Sequence, residues 1–250
     1  METGHAKNVA NFSKLITACT SFGTDYNPAS TKLKLTALQT LYTDSDKAVK
    51  KVDTDRKPYN LAIELRKTAY ANLNTTVQSA LDALISCDDV PKGTIADAKT
   101  LVKKIKGTNR PSKAKTATPP DTPDAEPTAT TYSTSRQSYD IRLANFNDLI
   151  ALLESTTEYI PNETENTLTV LKAYAADLLQ KNTDVNDIYT SFSQALTTRD
   201  VTLYTPVTGL FDISKKVKSY VESVNKFSST QKKLVSSITF SKPSAKSLHF

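Results

Sequence analysis

Apolar side chains recur along the first part of this chain at intervals of three and four residues, which is the period of an amphipathic α-helix. Phe12, Leu15, Ile16 and Cys19 occupy one such stripe, which ends near Gly23. We therefore expect a first helix that turns this stripe toward a core.

A much longer pattern follows a turn through Tyr26-Asn27-Pro28. Its inward positions alternate in steps of three and four, as in a heptad repeat, and we call them the seam. In the first half of the chain the seam consists of Leu35, Leu38, Tyr42, Ser45, Val49, Val52, Arg56, Tyr59, Ile63, Arg66, Tyr70, Leu73 and Val77. The seam predicts one long helix, bent at Pro58 because proline lacks an amide donor and its ring crowds the preceding turn.

The pattern of the first half occurs a second time at an offset of about 133 residues. The matched pieces are Ala10-Asn11-Phe12 with Ala144-Asn145-Phe146, Tyr26-x-Pro28 with Tyr159-x-Pro161, and Leu101-Val102 with Leu234-Val235. The second seam consists of Leu168, Leu171, Ala175, Leu178, Asn182, Val185, Tyr189, Phe192, Leu196, Arg199 and Leu203. Two unrelated helices with one period would not also share their ends and a Tyr-x-Pro turn, so we interpret the chain as a duplication.

The long helix of each half is expected to end at a restart, at Asn74-Thr75 in the first half and at Thr205-Pro206 in the second. Proline favours such a place because it is best tolerated at the first helical position. A shorter last helix is predicted near residues 94–106 and again near 229–238, and Gly107 supplies a stop for the first of them.

Between the halves lies a segment rich in proline and threonine, with almost no large apolar side chains. Proline removes a backbone donor and disfavours helix in the residue before it, so we expect a flexible, extended tether. The predicted organisation is all-α, with one elongated helical bundle in residues 1–107, a linker in 108–138 and a second bundle in 139–250.

Composition supports the all-α class. Of 250 residues, 38% are hydrophobic and 23% charged, with 5 glycines and no tryptophan, which suits helices better than turn-rich β-structure.

Cys19 and Cys87 lie far apart with no histidine or third thiol nearby, so neither a disulfide framework nor a zinc site is indicated. No apolar run approaches the roughly 20 residues that span a bilayer, and we expect a soluble cytoplasmic protein.

The sequence lacks the residue clusters on which most enzymes rely. Its only histidines, His5 and His249, are near the ends of the chain, and no glycine-rich phosphate loop, GxSxG or HExxH motif occurs. Asp53 and Asp55 belong to the densest acidic cluster, which lacks the glycine and final glutamate of a calcium loop and is typical of a solvated helix face. We therefore expect no enzymatic activity, no cofactor, no metal and no small-molecule substrate.

Two arginines, Arg66 and Arg199, occupy equivalent positions on the seam of the two halves. An arginine at such a position can be a salt-bridged residue at the edge of the core that fixes helix register. Alternatively, it can form a buried site for an anion or a protein partner. Both arginines are therefore candidate interaction residues.

Lysines are concentrated near the end of each half and contribute to a net charge of +6. Segment 99–115 contains Lys103, Lys104 and Lys106, and segment 215–246 contains Lys215, Lys216, Lys218, Lys232 and Lys233. Such segments could neutralise phosphates in a salt-dependent way. They could equally be solvated helix faces, since no aromatic-rich readout motif accompanies them, or could attract an acidic region of another molecule.

These observations lead to two hypotheses of function. The first is a non-enzymatic structural or interaction protein that binds itself or another protein, because the chain combines long seams, a duplication and few catalytic residue types. The alternative is a nucleic-acid-associated protein that binds phosphates through segments 99–115 and 215–246. A membrane-active helical protein is disfavoured, because no apolar hairpin of membrane-inserting length is present.

Overall fold

A computed structural model describes residues 3–108, 137–243 and 248 of the chain. Its α-helices are α1 Thr3–Ser21, α2 Leu35–Ala71, α3 Leu73–Ser86, α4 Lys92–Lys106, α5 Tyr139–Ser155, α6 Leu168–Tyr204, α7 Leu210–Ser223 and α8 Ser229–Ser236. No strand occurs among these described residues, and the predicted all-α class is confirmed. None of the described helices is both long and apolar enough to cross a membrane.

The two long helices match each other closely. α2 and α6 have 37 residues each, and α2 continues through Pro58 without ending there. A short 3₁₀ turn precedes each of them, over Thr31–Leu33 and over Thr164–Asn166. Each half therefore has one long helix, as predicted, but the last two residues of the first seam, Leu73 and Val77, belong to α3.

A buried tyrosine holds the turn before each long helix. The Tyr26 hydroxyl donates to the Leu33 carbonyl at 2.8 Å, and the Tyr159 hydroxyl donates to the Asn166 carbonyl at 2.7 Å. The aromatic rings lie in the core while the hydroxyls satisfy carbonyls of the 3₁₀ turns. The shared Tyr-x-Pro pattern thus has the same physical role in both halves.

The described chain folds into two compact units, and neither unit coincides with one half. Unit 1 consists of Met1–Leu61 and Asn186–Phe250, and unit 2 consists of Ala62–Val185. This differs from the predicted bundles in residues 1–107 and 139–250. The reason is geometric: a helix of 37 residues extends about 55 Å, more than one set of short helices covers, so its two ends belong to different units.

Unit 1 joins the first helix of the first half to the last helices of the second. α1 packs on α7 and α8. Its core draws Phe12, Leu15 and Leu38 from the first half, and Leu210 and Val217 from the second, and each of these side chains is fully buried.

Unit 2 is built in the reciprocal way. α5 of the second half packs on α4 of the first, and α4 packs on α3. The core combines Leu84 and Ile105 from the first half with Phe146, Leu149 and Leu178 from the second, all of them fully buried. Each unit therefore depends on both halves of the chain for its hydrophobic core.

The seam faces inward with one exception. Every seam residue of α2 and α6 is buried or partly buried except Tyr189, which is 51% exposed. Tyr189 packs on Tyr59, with ring centroids 5.5 Å apart, and Tyr59 stacks on Phe192 at 5.2 Å. An aromatic cluster replaces regular seam packing at this level of unit 1.

The ends of the shorter helices differ from the sequence expectations by a few residues. α3 begins at Leu73, just before the predicted restart, whereas α7 begins at Leu210, after the turn that contains Pro206. Gly107 ends α4 in the left-handed conformation, with φ of 75°, as predicted. The proposed linker falls mostly on residues 109–136, which lie outside the described residues.

Candidate interaction site

Arg199 lies in the core of unit 1 and forms a buried ion pair with Asp200. Its Nε donates to Asp200 Oδ1 at 2.8 Å, and its Nη2 lies 2.7 Å from the same oxygen. Arg199 is 2% exposed and Asp200 0%. Because a buried charge left without its partner is costly, this pair makes Arg199 a structural residue of the core.

Arg66 occupies the equivalent seam position in unit 2 but has a different environment. Its guanidinium carbon lies 4.3 Å from the centroid of the Tyr139 ring. The next residue is Lys67, which pairs with Glu64 at the surface with 3.7 Å between Nζ and Oε2. The two candidate arginines therefore share a sequence position, but one forms an ion pair and the other a cation–π contact.

Tyr139 belongs to a polar network in unit 2 that sequence patterns did not reveal. Asn182 Nδ2 donates to the Tyr70 hydroxyl at 3.0 Å and to Asp140 Oδ1 at 2.9 Å, and the Tyr70 hydroxyl donates to the Tyr139 carbonyl at 3.1 Å. Burial raises the pKa of Tyr70, so the hydroxyl remains a donor. The only sequence signal was the presence of polar Asn182 on a mostly apolar seam.

Three of the candidate lysines in unit 1 bind backbone carbonyls of the same unit. Lys218 Nζ donates to the Ser236 carbonyl at 3.1 Å and also to that of Ile238. Lys232 Nζ donates to the Glu222 carbonyl at 2.8 Å, near the end of α7. Cations at helix carboxyl ends satisfy unpaired carbonyls and offset the helix dipole. Lys216 Nζ likewise donates to the Val207 carbonyl, at 3.2 Å.

Of the other candidate lysines, four are exposed and Lys106 is partly buried. Lys215 Nζ lies over the Phe211 ring at 4.2 Å, and Lys233 is exposed in the last turn of α8. Lys103 and Lys104 are exposed in the last turn of α4, while Lys106 Nζ donates to Gln78 Oε1 at 2.5 Å. Segment 99–115 up to residue 108 belongs to unit 2 and segment 215–243 to unit 1, so the lysines are divided between the units.

Two asparagines of α1 hold the segment that follows α8. Asn8 Nδ2 donates to the Ser241 carbonyl at 2.6 Å, and Asn8 Oδ1 accepts from the Ser241 amide at 3.0 Å. Asn11 Nδ2 donates to the Thr239 carbonyl at 2.8 Å. Asn8 is 1% exposed and Asn11 9%. We call Asn8 and Asn11 the asparagine clamp, and residues 239–243 the strap.

The strap and the residues on either side of it also have apolar contacts. Ile238, Phe240 and Leu248 pack against the core of unit 1 and are partly buried. The Lys218 ammonium lies 5.6 Å from the centroid of the Phe240 ring. The repeated Ala-Asn-Phe motif includes Asn11, but nothing in the sequence pattern indicated that its amide would bind the backbone of a distant segment.

Burial shields several titratable groups rather than activating them. Burial raises the pKa of the Cys19 thiol to about 12 and those of the Tyr159 and Tyr174 hydroxyls to about 12. A thiol with a raised pKa is a poor nucleophile at neutral pH. In the described parts of the chain no three histidine, cysteine, aspartate or glutamate side chains gather into a metal-binding group.

In the described residues, amide and cationic side chains therefore bind backbone carbonyls and aromatic rings of their own unit. Comparison with protein-family models, with curated proteins and with solved structures finds no match for this chain.

Proposed function

We propose that this chain is a non-enzymatic structural protein that self-associates, built from a duplicated helical half. The observation that carries the proposal is the composition of the two compact units, each of which takes helices from both halves. A half of this kind cannot bury its apolar faces alone. It must pair with another half, in the same chain or in a second one.

The equal lengths and turns of the two halves support the duplication. α2 and α6 have 37 residues each, and α3 and α7 have 14 each. The contacts are reciprocal as well, since α1 packs on α8 and α5 packs on α4. A second chain contains the same two halves. The surfaces that pair the halves within one chain can therefore pair halves of two chains.

Self-association can be tested on the intact protein by light scattering over a concentration series. We expect a mass above the 27.4 kDa of one chain that rises with concentration. A mass of one chain throughout, with no protein partner recovered, would count against the proposal.

The fit between halves is tested by expressing residues 1–108 and 137–250 as separate polypeptides. We expect them to purify together in equal amounts, because each supplies part of both hydrophobic cores. A scrambled linker between the halves of the intact chain serves as the control and should leave folding unchanged. Two halves that fold separately and do not bind each other would contradict the proposal.

Nucleic-acid binding remains the alternative, and the lysine geometry makes it the weaker one. Lys216, Lys218 and Lys232 already donate to backbone carbonyls. Neutralising a phosphate would require these ammonium groups to give up or share those contacts. Electrophoretic shift with generic DNA and RNA at low and moderate salt decides the matter, and a salt-dependent shift at low salt would favour this alternative.

A further inference from the structure

The contact between the asparagine clamp and the strap has the form of a binding site for an extended peptide. Asn8 both donates to and accepts from the backbone of Ser241, as the backbone of a neighbouring β-strand would. Asn11, one helical turn further on, binds the carbonyl of Thr239, so the strap runs antiparallel to α1. A clamp that binds backbone groups recognises an extended chain, and the intervening Phe240 supplies the side-chain contact.

Asn8 is positioned by the core rather than by its ligand alone. Its Nδ2 donates to the Tyr204 hydroxyl at 3.2 Å as well as to the strap. Tyr204 is itself 2% exposed in the core of unit 1. Because this contact does not involve the strap, it orders the Asn8 amide before a peptide binds.

The strap is held by fewer backbone contacts than the helices beside it. Within the described chain, the backbone hydrogen bonds of residues 239–243 all go to Asn8 and Asn11. The last backbone-to-backbone bond before the strap joins the Ile238 amide to the Val235 carbonyl. Release of the strap therefore breaks its three hydrogen bonds to Asn8 and Asn11 and the packing of Phe240 and Leu248, while the backbone bonds of α8 stay in place.

The equivalent face of unit 2 does not carry this clamp. The positions that match Asn8 and Asn11 are Arg142 and Asn145. Arg142 donates to the Ile105 carbonyl at 3.2 Å and to Asn74 Oδ1 at 3.0 Å, and Asn145 donates to the Ile141 carbonyl of its own helix at 2.8 Å. The backbone-binding amide pair is a property of α1, and Asn145 provides a matched control position.

We propose that the asparagine clamp is a binding site for an extended peptide, and that its second occupant is the strap of another copy of this chain. A strap released at Ile238 leaves the clamp open for an incoming strap with the same backbone and the same Phe240. Exchange of straps then links the chains. The exchange between chains rests on the proposed self-association. The binding of a peptide to the clamp does not, and it is tested separately.

The clamp is tested with a chain shortened to end at Ile238 and a fluorescent peptide of residues 236–250. We expect the peptide to bind the shortened chain, and Asn11→Ala to weaken that binding about fivefold, since one hydrogen bond to a backbone carbonyl is lost. Asn145→Ala should leave binding unchanged. Absence of peptide binding to a folded shortened chain, or equal binding with Asn11→Ala, would overturn the site.

Hydrogen exchange gives a second readout in the full-length chain, in case the shortened chain does not fold. Exchange of the Ser241 amide should quicken about fivefold in Asn11→Ala, because the strap then opens more often. The rate should not change in Asn145→Ala. An unchanged rate in Asn11→Ala would also overturn the site.

Exchange between chains is tested by mixing two complementary variants. One carries Asn8→Ala and Asn11→Ala with an intact strap, and the other ends at Ile238 with an intact clamp. We expect the mixture to form a hetero-dimer that Phe240→Ala in the first variant weakens. If the two do not associate, exchange is wrong. If the chain that ends at Ile238 nevertheless self-associates as strongly as the intact chain, self-association does not depend on strap exchange, and the proposed function stands.

Discussion

Unit 1 and unit 2 share a framework but use different polar chemistry at corresponding positions. In unit 1 the seam arginine Arg199 is buried against Asp200, and the asparagine clamp binds the strap. In unit 2 the seam arginine Arg66 lies over Tyr139, and Arg142 binds the Ile105 carbonyl near the end of α4. The apolar positions of the two units are alike, whereas the polar ones differ.

The comparison shows which positions the fold requires. Phe12 and Leu15 are fully buried in unit 1, and the equivalent Phe146 and Leu149 are fully buried in unit 2. Apolar packing at these places is a condition for either core, because voids and unpaired polar groups there are costly. Polar positions at the edge of the core tolerate several solutions, provided each group finds a partner.

The largest expected effect tests whether the two cores are equivalent. Phe12→Ala and Phe146→Ala should each lower the free energy of unfolding by about 4 kcal/mol, since each removes a fully buried ring and leaves a cavity. Urea unfolding followed by circular dichroism measures both. A loss below about 1 kcal/mol in one variant only would show that the cores are not equivalent.

The next effect tests the difference between the seam arginines. Asp200→Asn should lower the free energy of unfolding by about 3 kcal/mol, because it removes the charge that faces buried Arg199. Lys67→Ala, at the position equivalent to Asp200, should change it by less than about 0.5 kcal/mol, since Lys67 is at the surface. Similar losses in the two variants would contradict the distinction.

A smaller effect tests the shared tyrosine turn and depends on pH. Tyr159→Phe removes a buried hydrogen bond and should cost about 1 kcal/mol at pH 8. Burial raises the pKa of Tyr159 from 10.0 to about 12, so its contribution is present below pH 10 and is lost as pH rises through 12.

The measurement is urea unfolding from pH 8 to pH 12. The stability of the native chain should fall more steeply than that of Tyr159→Phe over this range, because the variant has no phenol to ionise. Tyr189→Phe, at an exposed tyrosine, is the control and should follow the native chain. Parallel curves for the native chain and Tyr159→Phe would contradict the role assigned to this hydroxyl.

The smallest effect concerns the junctions after the long helices. Asn72 alone separates α2 from α3, whereas a turn with Val207 at φ of 72° separates α6 from α7. A β-branched residue is strained there, so Val207→Gly should raise the free energy of unfolding by about 1 kcal/mol. Val201→Gly, inside α6, should lower it by about 1 kcal/mol. A loss in both variants would show that the turn is not strained.

Helix positions were predictable from sequence, because helical periodicity is a local property. The seams gave α2 and α6, Gly107 marked the end of α4, and the Tyr-x-Pro turns preceded both long helices. The pairing of helices was not predictable, since the same apolar stripes fit a partner in either half. Only the length of α2 hinted that a single bundle could not cover it.

The candidate site was predictable only where the residue type carried the signal. Arg66 and Arg199 stood out as charges on apolar seams, but their partners Tyr139 and Asp200 did not. The contact of Asn8 with Ser241 joins residues at opposite ends of the numbering. No spacing rule within a helix reveals an amide that binds the backbone of such a distant segment.

The central claim is that each compact unit is built from both halves of the chain. Nuclear Overhauser effects among selectively labelled phenylalanines test it most directly, since the chain has only eight of them. The rings of Phe22 and Phe227 have centroids 4.8 Å apart in unit 1, and we predict a cross-peak between them that Phe22→Leu removes. A folded protein in which Phe22 shows contacts only to residues 1–107 would contradict the account.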